Sequence, residues 1–136
     1  MTDHVSLVFD GSAAGRRIQQ RLSALLPEDV GTTIITYEEQ SRGWLSYISG
    51  AKNVTDQVEA YRRLENHLEY FKRLFVRGFS QSAAVEYQRL QKTVRIGTMD
   101  LRIAAIALTH HATVLSRNLR DFEKVPGLKI EDWSKP

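Results

Sequence analysis

Four polar side chains in this 136-residue chain, Glu39, Asp100, Asn118 and Asp121, stand where they could share one task. Glu39 lies four residues past the apolar pair Ile34-Ile35. Asp100 closes Gly97-Thr98-Met99-Asp100, directly ahead of an apolar run, and Asn118 and Asp121 follow Thr113-Val114-Leu115-Ser116. Three separate segments could therefore deliver carboxylates and a carboxamide to one place. Two unit charges ~4 Å apart repel by about 4 kcal/mol at an effective dielectric of about 20, so a cation is needed to hold such a cluster together. Oxygen-only donors favour magnesium or manganese. The chemistry that suits the set is phosphodiester hydrolysis, in which the metal activates water and stabilises charge on the leaving oxygen.

Each of these residues also has a purely structural account. Thr36-Tyr37-Glu38-Glu39 has the form of a capping box. A carboxylate at Asp100 favours a helix start through the helix dipole, and Asn118 and Asp121 are common turn residues. Only their convergence on one edge distinguishes chemistry from structure.

The elements that would have to position them can be read from periodicity. Ala14, Ile18, Leu22 and Leu25 share one helical face before Pro27-Glu28-Asp29 breaks the pattern. Residues 32–35 are β-branched throughout and read as a buried strand leading into a helix from Thr36. From Thr55 to Leu74 the apolar positions Val58, Tyr61, Leu64, Leu68, Phe71 and Leu74 recur every three or four residues, the stripe of an amphipathic helix. Leu74-Phe75-Val76 predicts a short strand, and Ser80 a cap for a helix carrying Ala84, Tyr87, Leu90 and Val94. Thr98 is expected to cap a helix apolar almost all round, residues 101–108, which must be buried. Thr113-Val114-Leu115-Ser116 is a further strand, and Val125-Pro126-Gly127-Leu128-Lys129-Ile130 a turn and a final one, with Trp133 as a packing anchor. Strands alternating with helices predict a single three-layer α/β domain with a mostly parallel sheet flanked by helices. Ligands of such sheets sit at the carboxyl ends of the strands.

Composition limits the rest. Lys and Arg exceed Asp and Glu by three, which allows a polyanionic partner. The absence of cysteine excludes disulfides, thiolate metal sites and cysteine nucleophiles. No stretch approaches the ~18 apolar residues of a membrane span and Met1 to Gly15 lacks a signal-peptide pattern, so a cytoplasmic protein with no membrane association is expected.

In the order and spacing of Gly97-Thr98-Met99-Asp100-Leu101-Arg102-Ile103-Ala104-Ala105, then Leu115-Ser116-Arg117-Asn118, then residues 121–133, the chain resembles the VapC family of PIN-domain ribonucleases over nearly its whole length. Ile35-Thr36-Tyr37-Glu38-Glu39, with Gly43 four residues on, is similar to the segment carrying that family's second acid, which points to Glu39 rather than Glu38. Members usually open with an apolar strand ending in Asp-Thr-Asn or Asp-Thr-Asp. Thr2-Asp3-His4 matches that motif if Met1 stands at the first acid, which makes Asp3 its third residue and leaves the first, central strand missing. In the rival alignment Val5-Ser6-Leu7-Val8-Phe9-Asp10 is the first strand and Asp10 its acid. The first alignment is preferred, and implies a start written downstream of the true one or a truncated remnant.

The resemblance implies an endoribonuclease with Glu39 and Asp100 as ligands of Mg2+ (or Mn2+), Asp3 as an auxiliary ligand, and Asn118 or Asp121 completing the site. Arg42, Arg102, Arg117 and Arg120 fall near the acidic edge and could hold RNA phosphates, or be ordinary surface arginines. His4 is expected to act behind the ligands or at the surface, and His110 and His111 to suit the end of the buried helix. A VapB-like antitoxin and a homodimer are further implications. The competing readings are a degenerate, non-catalytic PIN module that only dimerises or binds antitoxin, and an all-helical interaction domain if the short β-branched runs are not strands.

Overall fold

The computed structural model describes residues 12–26 and 29–136, so Asp3, His4 and both alignments of the first strand lie outside the described residues. In chain order the elements are α1 (Ala13–Ser23), β1 (Gly31–Thr33), α2 (Ile34–Ser49), α3 (Val54–Lys72), β2 (Phe75–Arg77), α4 (Gln81–Gln91), α5 (Thr98–Thr109), β3 (Thr113–Leu115), α6 (Leu119–Phe122) and β4 (Lys129–Glu131). The alternation of strands and helices stands as expected, and the all-helical reading falls.

Helix α5 forms the centre. Leu101, Ile103, Ala104, Ala105, Ile106 and Ala107 are all buried, as a helix apolar around its circumference requires. It packs chiefly against α4 and also against α2 and β3. Leu90, Val94, Val114, Phe122 and Val125 close the core around it.

The strands pair in parallel, but as two separate pairs. β1 lies beside β2, with Gly31 opposite Phe75 and Thr33 opposite Arg77, and β3 lies beside β4, with Thr113 opposite Lys129 and Leu115 opposite Glu131. Gly31 is held to its type by closeness, because a Cβ there would stand 2.6 Å from the Phe75 carbonyl oxygen. Among the described residues no strand joins the two pairs. Between them lies a slot of about 380 Å³.

Several boundaries differ from expectation for physical reasons. The strand predicted over residues 32–35 ends at Thr33, and Ile34 and Ile35 already belong to α2. The Thr33 hydroxyl caps that helix by accepting from the Thr36 amide at 3.0 Å, so Thr36 is an interior helical residue, not a cap. Gly97, not Thr98, is the N-cap of α5, and no side chain bonds there. Ser80 caps α4 as expected, accepting from the Ala83 amide. The expected stripe of α3 is only partly its buried face. Val58, Tyr61 and Leu68 are exposed, whereas Ala60, His67 and Phe71 are buried.

His67 fills its core position as an aromatic. Its ring stacks on Tyr37 at 5.3 Å between centroids and meets Phe71 at 4.7 Å, and its Nε2 is 3.2 Å from the Ser41 hydroxyl. Its Nδ1 is buried without a partner. Burial disfavours the imidazolium and lowers the His67 pKa from the ordinary 6.5.

Two predictions follow from this packing. Leu90, fully buried, should cost about 2–5 kcal/mol when cut to alanine, measured by urea unfolding. Because the folded pKa of His67 lies below the unfolded one, the unfolded chain binds more protons as pH falls through about 6.5, and stability should decline there. Urea midpoints at about pH 7.5 and about pH 5 should differ in the native chain, and that part of the difference should vanish in His67→Phe.

Candidate functional site

Asp100 sits in the first turn of α5, where the buried length of that helix fixes its direction. Asn118, on the short connection from β3 into α6, and Asp121, in the single turn of α6, arrive from the other side. The Ser116 hydroxyl shapes this connection by accepting from the Asn118 amide at 2.9 Å. Phe122, buried in the core next to Asp121, anchors it.

These residues meet through one carboxamide. The Asn118 Nδ2 donates to Asp121 Oδ2 at 3.0 Å and lies 3.3 Å from Asp100 Oδ2, joining two carboxylates eighteen and three residues away in sequence. Although Asn118 is the N-cap of α6, its side chain makes no capping bond. Its role as a mere turn residue therefore does not account for it. Lys124 Nζ stands 3.7 Å from the other oxygen of Asp121 and offsets part of the negative charge.

Glu39 is half-buried in the second turn of α2, a helix that packs against α5. With Thr33 as the cap, the capping-box account of Glu39 no longer holds, since the box would need Thr36 at the N-cap. Its neighbour Glu38 is engaged with Arg42 at 2.5 Å. Among the described residues, however, no three His, Cys, Asp or Glu side chains stand close enough to hold a metal ion. Asp100 and Asp121 are brought together, and Glu39 does not complete a trio with them.

The donor set still suits a hard cation. Every polar atom available from Asp100, Asp121 and Asn118 other than the bridging amide is an oxygen, and magnesium is commonly held by one or two carboxylates and its own waters. These residues could hold such an ion.

The four arginines differ in setting. Arg42 is tied to Glu38. Arg102 is half-buried, with Nη1 3.3 Å from the Met99 sulfur and its guanidinium 5.6 Å from the centre of the Tyr87 ring. Arg117 and Arg120 are exposed and flank Asn118 and Asp121 in sequence. His110 caps the far end of α5, its Nδ1 3.3 Å from Arg77. Sequence reasoning missed the bridging geometry of Asn118, although the Asn-x-x-Asp spacing at a helix start was its one visible signal.

The family model for the PIN domain matches residues 4–128. Ribonuclease VapC1 of Haemophilus influenzae is 28% identical over 124 residues, covering 87% of this chain and 85% of that protein. The tRNA(fMet)-specific endonuclease VapC of Salmonella typhimurium is 33% identical over 69 residues, 47% of this chain and 52% of that protein. Among solved structures, VapBC-1 from nontypeable Haemophilus influenzae superposes with a TM-score of 0.72 at 26% identity, covering 96% of this chain and 92% of that one. No helix among the described residues is long and apolar enough to cross a membrane.

Replacing Asn118 with leucine keeps its bulk and removes the shared donor. Asn118→Leu should lower stability by about 1–2 kcal/mol at neutral pH, read from urea unfolding; an unchanged midpoint would mean that the amide does not bridge the acids.

Proposed function

The chain belongs to the PIN-domain family, and from that premise we propose that it is a metal-dependent endoribonuclease toxin of a toxin–antitoxin pair, cleaving RNA phosphodiester bonds. The observation that carries this reading is the junction of Asp100 and Asp121 through Asn118 at the start of the buried helix. Two acids kept side by side by one neutral donor form an anionic edge ready for a divalent ion, and the relatives named ribonuclease support its use on RNA.

In this reading Asp100 and Asp121 would hold Mg2+ or Mn2+, with Asn118 keeping the two aspartates in place; Glu39, which does not stand with them in the described structure, and Asp3 would be further ligands. The ion, when bound, supplies an activated water and stabilises the leaving oxygen. Arg117 and Arg120 hold phosphates on either side of the acidic edge, while Arg42 and Arg102, already engaged, contribute through the local positive field. The solved relative VapBC-1 supports a VapB-like antitoxin as partner; a homodimer working in the cytoplasm is part of the same proposal.

One observation favours a second reading, a PIN module that binds antitoxin or dimerises without cutting. Among the described residues only two carboxylates converge. The two readings part on a single assay. Cleavage of a mixed RNA pool with manganese should stop when the metal is chelated and return when it is restored. Asp100→Asn and Glu39→Gln should each lower it by about a hundredfold or more, the scale of a lost metal ligand. Absence of metal-dependent cleavage in the native chain would favour the binding module, and full activity in Glu39→Gln would remove that residue from the site.

A further inference from the structure

Arg102 is set differently from the other arginines of the helices. Arg42, Arg62, Arg63 and Arg89 each pair with a glutamate of their own helix. Arg102, half-buried in the second turn of α5, has no carboxylate partner among the described residues. Its Nη1 reaches the Met99 sulfur at 3.3 Å, a weak acceptor, and its guanidinium is held over Tyr87 of α4, 5.6 Å from the ring centre. Phe79 meets that ring edge-on at 5.9 Å and braces it from the side. A cation that has given up part of its hydration for one ring and one sulfur still lacks a counter-charge or a carbonyl oxygen.

A phosphate alone would answer the charge, but it has no use for the aromatic backing. A planar cation laid over one ring accepts a second flat group on its open side while its remaining N–H groups meet acceptors at that group's rim. An unpaired nucleobase has this shape and these acceptors. The acid pair is near enough to supply the rest of the strand. At about 100° and about 1.5 Å per residue, Asp100 and Arg102 leave α5 on different sides, only about 3 Å apart along its axis. The path between them crosses the start of the helix, where Gly97 and Thr98 are exposed and a Cβ on Gly97 would meet nothing within 4 Å.

We propose that Arg102, backed by Tyr87 and Phe79, is a stacking subsite for an unpaired base of the RNA, on a nucleotide neighbouring the phosphate held at the acid pair. RNA as the ligand rests on the ribonuclease reading above; the stacked base is the addition. Because bases in a duplex are already stacked on one another, the subsite selects single-stranded segments.

The test measures binding in chelator, so that nothing is cleaved, by fluorescence anisotropy of two labelled probes with equal numbers of phosphates: oligoadenylate RNA and an abasic ribose-phosphate chain. The native chain should bind the oligoadenylate about tenfold more tightly, the scale of one stacked base. Arg102→Lys keeps the charge and loses the plane, so it should bind both probes alike, with its affinity for the abasic chain unchanged. Tyr87→Leu, which takes away the backing ring, should lose the preference as well. A preference that survives Arg102→Lys overturns the proposal, and an equal loss on both probes does so too, since it marks a contribution of charge alone. A native chain that binds both probes alike, or neither, also overturns it; binding of neither would leave the unpaired cation to a protein partner. The nuclease reading stands or falls separately. Metal-dependent cleavage beside an unchanged preference in Arg102→Lys removes the subsite only, whereas a native chain that prefers oligoadenylate and never cleaves removes the nuclease only.

Discussion

The burial of α5 is the constraint on which the other features depend. A helix with no polar face has one stable position, inside, and every layer of the domain is arranged to cover it. Its first turn must nevertheless reach the surface, because amides there lack intrahelical partners. Asp100 is placed at that exit. The rigidity of a packed core is thus transferred to a single carboxylate, and the loop after β3 needs only to bring Asn118 and Asp121 alongside it.

That approach is unfavourable in itself, since two carboxylates drawn together repel. The Asn118 amide offsets the repulsion without cancelling the charge, and Lys124 acts on the outer oxygen of Asp121. The arrangement is stable enough to persist and still negative enough to attract a cation. A lysine in place of Asn118 would hold the acids more firmly and abolish their reason for being together.

Much of this was legible in the sequence, and the failures have definite causes. α5 and Asp100 could be read because an unbroken apolar run admits one environment. The cap of α2 could not, because Thr33 and Thr36 stand three apart and either fits a helix start; only the abrupt passage from β1 to α2 selects the first. In α3 two apolar stripes overlap, one through Val58, Tyr61 and Leu68 and another through Ala60, Leu64, His67 and Phe71. Hydropathy favours the former, yet the aromatic side chains of α2 select the latter, because His67 can stack on Tyr37 and bond Ser41. The grouping of the described strands into two pairs was equally beyond local pattern, since hydropathy marks a strand without naming its neighbour.

The chain contains two tryptophans, and the fold assigns one to each half. Trp44 lies in the cluster between α2 and α3, edge-on to Tyr47. Trp133 borders the slot with the Arg21 guanidinium 4.1 Å from its ring centre. The molecule therefore carries two built-in optical reporters in unlike surroundings, one sensing the helical hairpin and the other, quenched or released by its cation, the margin between the strand pairs.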